Sequence, residues 1–191
     1  MDDHPKLRDD FQREHLYEGL IDFLQCQNQN VEGKTLAYSD MLIVLEILET
    51  GSMNEAVRGN LSEKKKIKDL FLVVVKSVEI SKNKKMISSL VQFFSNLCYG
   101  TGKLRQMLAK DDQSELMGVL KQILDQIRVD EKYEDPEDAD ENDDPNATNA
   151  KIAKFLKKEM ADKSLLKQAL YALIGNLCME KALRVKFAGD T

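Results

Sequence analysis

The residues of this sequence best suited to covalent or acid–base chemistry are its cysteines and histidines, and their spacing does not form a reactive site. Cys26, Cys98 and Cys178 form no close pair, and the histidines, His4 and His15, both lie in the N-terminal region. Separated cysteines in odd number, without the apolar core of a signal peptide, indicate reduced thiols in the cytoplasm or the nucleus. We therefore expect Cys98 and Cys178 to pack as small apolar residues, and we predict no catalytic residue.

An acidic motif has part of the pattern of a calcium-binding loop. Asp138-x-Asp140-x-Asn142 matches the first three ligand positions of such a loop. The loop also needs a glycine at its sixth position for a sharp turn and a bidentate glutamate at its twelfth. Asp143 and Asn149 occupy those positions here. The sequence therefore predicts no specific metal site.

A second motif is similar to the end of a phosphate-binding loop. Gly100-Thr-Gly102-Lys103 has the glycine and lysine of that loop. Its first glycine, however, is replaced by Leu97, and Leu104 replaces the hydroxyl residue that binds magnesium. We interpret the motif as a helix-ending turn, and we expect neither a cofactor nor a small-molecule substrate.

The composition excludes several classes of protein. Of the 191 residues, 42% are apolar, which is enough for a hydrophobic core. Lys and Arg number 28 against 33 Asp and Glu, and this net charge of −5 argues against nucleic acid as a partner. Uninterrupted apolar runs such as Leu70–Val75 are far shorter than a membrane span. With only 9 Gly and 3 Pro, the chain also lacks the turns of a β-sandwich.

Apolar residues recur at helical spacing along nearly all of the chain. They lie three or four residues apart with charges between them, as in Leu116–Ile127 and Leu165–Leu177. This pattern predicts amphipathic helices and an all-α fold. The β-branched run Phe71–Val75 is also compatible with a strand. We predict a buried helix there, because the surrounding segment Lys64–Ile80 contains neither Gly nor Pro.

One segment departs from the helical pattern. Asp130–Pro145 contains ten acidic residues, one Lys and two prolines, a local charge of −9. Like charges repel and prolines interrupt helices, so we predict a disordered acidic loop at 130–149. Without this segment the net charge of −5 becomes +4, so the remaining chain is slightly basic.

A repeated motif divides the chain into three units. Leu90–Leu108 and Leu170–Phe187 each contain an apolar helix, a small residue followed by Asn-Leu-Cys, and a short link to an apolar-Arg-x-x-apolar segment. Met41–Leu61 is a weaker copy that keeps the second half. We place the units at residues 37–80, 84–129 and 163–191, the last one truncated before its final helix. Such units bury their apolar faces only by stacking side by side, so they predict one helical array.

The repeated motif resembles the armadillo repeat. The resemblance lies in SNLC at Ser95–Cys98 and GNLC at Gly175–Cys178, each followed by a short helix, and it covers Tyr38–Leu124 and Lys163–Thr191. It is similar to divergent eukaryotic types, namely the small-GTPase dissociation stimulators and the ataxin-type armadillo proteins. The resemblance implies a right-handed superhelical α-solenoid, here with an acidic disordered insertion, whose third helices line a concave groove.

The resemblance also implies a partner-binding role for two asparagines. Asn96 and Asn176 would face the groove and hold an extended peptide. From the residues alone, each Asn instead caps its helix end or bonds a neighbouring turn, and this alternative stays open. The first unit has Ile47 or Glu49 where the Asn is expected.

Three arginines recur at one position of the repeat. Arg58, Arg105 and Arg184 all lie in the apolar-Arg-x-x-apolar segment. They form either a series of donors for an acidic partner or internal contacts with a neighbouring unit. We include Arg105 and Arg184 among the candidate partner-binding residues.

The function predicted first is a non-enzymatic interaction module that binds another protein on its groove. By resemblance to the stimulators, the partner is a small GTPase of the Rho or Ras type, whose basic tail suits the acidic loop, or another basic peptide. Importin-like members carry a Trp one turn before the Asn, whereas Gln92 and Ala172 lie here, which argues against nuclear localisation signals. The alternative is a structural or co-chaperone scaffold that holds a client. We expect either protein in the cytoplasm, with the nucleus as a second location.

Overall fold

Helices make up nearly all of the described structure. The computed structural model describes residues 16–28, 38–62, 66–77, 83–100, 102–110, 114–132 and 148–189. Within these ranges the chain forms nine helices and no strand, so the predicted all-α fold is confirmed. The helices are α1 (Leu16–Asn28), α2 (Tyr38–Ser52), α3 (Glu55–Leu61), α4 (Lys66–Ser77), α5 (Lys84–Tyr99), α6 (Lys103–Lys110), α7 (Ser114–Lys132), α8 (Thr148–Leu177) and α9 (Lys181–Gly189).

The β-branched segment is helical, as predicted. Phe71–Val75 lies inside α4, whose buried apolar residues recur at steps of three and four. That spacing places them on one face of a helix, where they pack into the core. Burial of this face outweighs the lower helix propensity of the valines, because tertiary packing overrides local preference.

Helices at equivalent positions of the repeat pack side by side in two rows. In the first row, α5 contacts both α2 and α8. In the second row, α4 contacts both α1 and α7. The rows are joined by contacts of α1 with α2, α4 with α5, and α7 with α8. The long helices α2, α5 and α8 therefore bring the three copies of the motif next to one another.

The hydrophobic core runs between the two rows. Helical spacing predicts that Leu97, Leu120, Leu173 and Leu177 are buried. This prediction is confirmed, since they are 0%, 3%, 0% and 0% exposed. The rings of Phe71 in α4 and Phe94 in α5 stack with centroids 4.4 Å apart. Burial of such residues is the main stabilising term of the fold.

The glycine-rich motif forms the turn between α5 and α6. Gly102 has a φ of 74°, in the left-handed region that glycine adopts without steric cost. A Cβ at this position would lie 2.8 Å from Nη2 of Arg105. This geometry agrees with the interpretation of Gly100–Lys103 as a helix-ending turn.

Helix extends into both ends of the predicted acidic loop. α7 ends at Lys132 and α8 begins at Thr148, so residues 130–132 and 148–149 are helical. Residues 133–147, including the calcium-like motif, lie outside the described structure. α8 also begins well before residue 163, where the third unit is predicted to start. Its first half is rich in Ala and Lys, which are good helix formers.

Candidate interaction surface

Asn96 lies near the C-terminal end of α5, and its amide bonds the preceding long helix. Its Nδ2 donates to Oγ of Ser52 at 2.9 Å and to the carbonyl oxygen of Glu49 at 3.5 Å. Its Oδ1 accepts a hydrogen bond from Nε2 of Gln92, one turn earlier, at 2.9 Å. Asn96 therefore joins α5 to the end of α2.

Asn176 makes the corresponding contact one unit later. Its Nδ2 donates to the carbonyl oxygen of Ser95 at 3.1 Å and to the Ser95 hydroxyl at 2.9 Å. Both asparagines thus donate to the last turns of the preceding long helix. These bonds support the alternative in which each Asn bonds a neighbouring element, and the partner-binding role of both residues stays a prediction.

Two of the repeated arginines cap the long helices that precede them. Nη1 of Arg58 donates to the carbonyl oxygen of Met53 at 2.7 Å, and Nη1 of Arg105 donates to that of Tyr99 at 3.2 Å. Each Nη1 also bonds the carbonyl one residue earlier. Carbonyls at the end of a helix have no intrahelical hydrogen-bond donor, so each guanidinium supplies an N–H donor for them.

The arginine caps give the register of the repeat. Because the two arginines bond equivalent carbonyls, Met53 corresponds to Tyr99, and Thr50 corresponds to Asn96. Thr50 therefore lies at the position for which the sequence indicated Ile47 or Glu49. The link between α5 and α6 is one residue longer than the link between α2 and α3. An alignment that counts an equal number of residues back from Arg58 and from Arg105 therefore pairs Asn96 with Glu49 instead of Thr50.

The third arginine is placed differently. Arg184 lies on α9 and is exposed, whereas Arg58 and Arg105 are half-buried. With the described residues its guanidinium makes no hydrogen bond or ion pair. Of the two arginines predicted to bind a partner, Arg105 is used inside the fold and Arg184 lies open to solvent.

Large apolar side chains are exposed at one equivalent position in all three units, three residues after Thr50, Asn96 and Asn176. We call them the apolar ladder, and they are Met53, Tyr99 and Met179, exposed by 64%, 61% and 61%. None of these residues is among the binding residues predicted from the sequence. A signal was present, because Tyr99 and Met179 directly follow the cysteine of each Asn-Leu-Cys motif.

Ion pairs join the long helices. Nζ of Lys85 in α5 lies 2.8 Å from Oε1 of Glu46 in α2. Nζ of Lys84 lies 3.1 Å from Oε1 of Glu159 in α8. The Lys85–Glu46 pair is exposed to water and contributes little to stability. In the second pair Lys84 is buried, with 9% of its side chain exposed, so its ammonium group relies on Glu159 for charge compensation.

Glu49 is the acidic residue of this surface with a clearly perturbed pKa. Burial raises the pKa of its carboxyl group above the ordinary value of 4.5, and the negative charge of Glu46 acts in the same direction. A hydrogen bond with Ser89 and the positive charge of Lys85 oppose the increase. The folded chain therefore binds this proton more tightly than the unfolded chain does, and ionising Glu49 costs stability.

Replacing Glu49 by glutamine is expected to stabilise the fold at neutral pH relative to the parent. The raised pKa means that the contribution of Glu49 to stability is complete below about pH 4.5 and is lost as pH rises through the folded-state pKa. Glutamine stays neutral and keeps an acceptor for Ser89. Urea unfolding across this pH range measures the difference in free energy between the two proteins. A difference that does not grow with pH would contradict the assignment.

The cysteine of the second unit is a core residue, as predicted. Cys98 is 0% exposed, and burial raises the pKa of its thiol to about 12, although the nearby Arg105 opposes the increase. Cys178, at the equivalent position of the third unit, is only half-buried. The two thiols therefore differ in accessibility although the motif is the same.

A thiol reagent is expected to distinguish these cysteines. In a Cys26→Ser variant at about pH 8, Cys178 should react with an aromatic disulfide reagent while Cys98 stays protected, because thiolate and access are both required. Mass spectrometry of the labelled peptides measures the two rates. Denaturant should expose Cys98 and make the rates similar, whereas similar rates in the folded chain would refute its burial.

Among the described residues, no three His, Cys, Asp or Glu side chains lie close enough together to hold a metal ion. His4 and His15 lie outside the described part of the chain. None of the described helices is both long and apolar enough to cross a lipid bilayer.

Comparison with known proteins adds no identification. No family model matches this sequence, and comparisons with curated proteins and with solved structures find no significant match. These comparisons therefore do not identify a family for this chain.

Proposed function

We propose that this chain is a non-enzymatic interaction module, a right-handed solenoid of armadillo-like repeats that binds a partner protein along the surface of α2, α5 and α8. Two observations support the solenoid. Contacts recur between helices at equivalent positions of the units. The bonds of Asn96 and Asn176 recur between successive long helices. A stack made from one repeated contact is the defining property of a solenoid.

The apolar ladder is the observation that carries the binding function. Single exposed apolar residues are common on protein surfaces, but these three occupy one position of the repeat. Packed helices lie about 8–10 Å apart, so the ladder offers one apolar contact per unit. A partner that crosses the long helices would remove all three side chains from water, which is favourable by about 25 cal/mol per Å² of apolar surface.

A small GTPase of the Rho or Ras type is the partner class that we propose to test first. The resemblance to dissociation stimulators supports this choice, and the acidic segment 130–145, with its charge of −9, complements a basic tail. A scaffold that holds an unfolded client is the second candidate, because exposed apolar segments of a client would also fit the ladder. The reduced cysteines inferred from the sequence favour the cytoplasm, or the nucleus, for either function.

Titration calorimetry with purified Rho-type and Ras-type GTPases, each with and without its basic tail, tests this proposal. An unfolded apolar polypeptide tests the client alternative. Replacing Tyr99 and Met179 by serine should weaken binding about 10-fold or more, because buried aromatic and apolar contacts dominate interfaces. The matched control replaces Val185 and Met160, which are 63% and 58% exposed outside the ladder. Equal effects of the two double variants would refute binding at the ladder.

Replacing Asn96 and Asn176 together by alanine is expected to lower the free energy of unfolding. Each site loses hydrogen bonds between long helices, which amounts to about 1–3 kcal/mol for the pair. Asn60, an exposed Asn on α3, is the control, and its replacement should change stability by less than about 0.5 kcal/mol. Thermal melts and partner affinity are measured on the same proteins. Lost affinity without lost stability would make partner binding the main role of these residues.

A further inference from the structure

The middle long helix, α5, uses one face to contact α2. Ser89 of this face bonds the Glu49 carboxylate, and Asn96 bonds Ser52. Phe93 lies between Ser89 and Asn96 at helical steps of four and three, so it shares this face. Phe93 is 1% exposed. The apolar centre of the face toward the preceding long helix is therefore covered in α5.

The opposite face of α5 contacts α8. Ser95 accepts hydrogen bonds from Asn176, and Val91 lies one turn before Ser95 on the same face. Val91 is 0% exposed. We call each contact between successive long helices a joint. In each joint, the face equivalent to Phe93 on the later helix packs on the face equivalent to Val91 on the earlier helix.

In α2 the face equivalent to Phe93 is uncovered. In the register given by the arginine caps, Ile43, Ile47 and Thr50 correspond to Ser89, Phe93 and Asn96, and we call them the leading face. Ile43 and Ile47 are 55% and 43% exposed. They line an open cleft of about 610 Å³. Ile47 is therefore exposed to water, whereas the equivalent residues of α5 and α8, Phe93 and Leu173, are buried.

In α8 the face equivalent to Val91 is uncovered. Tyr171 and Gly175 correspond to Val91 and Ser95, and we call them the trailing face. Tyr171 is 54% exposed, and no atom lies within 4 Å of where a Cβ on Gly175 would be. Beside it, Ile174 and Phe187 line a second open cleft, of about 620 Å³. Both halves of a joint are thus exposed at opposite ends of the same row.

We propose that a second copy of this chain covers these faces, with the leading face of one copy docked on the trailing face of the next. The chain makes this joint twice within itself, between α2 and α5 and between α5 and α8. The leading face of a second copy is equivalent to the faces that α5 and α8 use in these joints, so it can pack on the trailing face in the same way. Ile47 would pack on Tyr171, and Thr50 would lie beside the open backbone of Gly175, as Asn176 lies beside Ser95. Because the two faces differ, the contact is head to tail and adds copies in a row instead of closing at a dimer.

Sedimentation velocity of the full chain tests the proposal. Between about 1 and 300 μM, the weight-average mass should rise with concentration, as expected for micromolar to millimolar contacts. Ile47→Glu should abolish this rise by burying a charge in the leading face, and Tyr171→Glu should abolish it through the trailing face. Leu165→Glu is the control, because Leu165 is 50% exposed on α8 outside the trailing face, and it should associate like the parent.

Mixing the two face variants gives the sharpest outcome. Ile47→Glu keeps its trailing face and Tyr171→Glu keeps its leading face, so an equimolar mixture should form one-to-one dimers that do not grow further. A parent chain that stays monomeric throughout would overturn the proposal. The proposal would also be overturned if the parent chain associates but the mixture of the two variants stays monomeric. The contact between copies would then not join a leading face to a trailing face. If circular dichroism shows either variant unfolded, Ile47→Ser and Tyr171→Ser replace the pair.

Discussion

Replacing Phe94 by alanine is expected to lower the free energy of unfolding by about 3–5 kcal/mol. Phe94 is 1% exposed and its ring stacks on that of Phe71, with an interplanar angle of 19°. The pair joins α5 to α4 and therefore holds the two rows of helices together. Alanine removes the apolar contact and leaves a cavity that rigid helices on both sides fill only in part. Urea unfolding followed by circular dichroism measures the loss.

An exposed apolar residue provides the control for this variant. Leu165→Ala on α8 should change stability by less than about 0.5 kcal/mol, because Leu165 is 50% exposed. Combining Phe71→Ala with Phe94→Ala should show a coupling of about 0.5–1.5 kcal/mol between the rings. A loss below about 1 kcal/mol for Phe94→Ala would place its ring outside the core.

Replacing Arg105 by alanine is expected to cost about 1.5–3 kcal/mol of stability, as for hydrogen bonds from a charged donor. Its Nη1 bonds the carbonyl oxygens of Cys98 and Tyr99 at the end of α5. Without the guanidinium, these carbonyls lose a donor that water replaces only in part. Thermal melts and urea unfolding measure the effect.

Arg184 is the matched control for this prediction, because it has the same position in the repeat and is exposed. Arg184→Ala should change stability by less than about 0.5 kcal/mol. Arg105→Lys should restore only part of the loss, since an ammonium lacks the planar donor geometry of a guanidinium. Equal stability of the Arg105 and Arg184 alanine variants would refute the capping role of Arg105.

Much of the secondary structure could be predicted from the sequence, because helical periodicity is a local property. Leu97 and Leu177 were placed in the core by their spacing and by the repeated Asn-Leu-Cys motif, and both are 0% exposed. The helix over Phe71–Val75 followed from the absence of Gly and Pro around it. Helix ends are less predictable from sequence: α8 begins at Thr148, inside the segment for which charge and proline content predict a loop.

The residues of the candidate surface depended on register, which the sequence left uncertain. Thr50, and not Ile47 or Glu49, is the residue of α2 equivalent to Asn96. The reason is that the link after α5, which contains Gly102 at a φ of 74°, is one residue longer than the link after α2. Tyr99 and Met179 are equivalent within the Asn-Leu-Cys motif itself, whereas Met53 joins the apolar ladder only when the arginine caps align α2 with α5. Equivalent residues of one motif also differ in exposure. Cys98 is buried and Cys178 is half-buried, while Arg105 is half-buried and Arg184 is exposed.

The sequence by itself determined the all-α class, the repeated unit and the apolar face of each helix, because all three depend on residues close together in the chain. Tertiary structure alone decided which of the equivalent side chains bond a neighbouring helix and which lie in water. A repeat position is buried only where another helix packs on it, so Phe93 is covered while Ile47 is exposed. What each copy of the motif does therefore depends on its neighbours in the row, since burial and hydrogen bonding are properties of the packed helices.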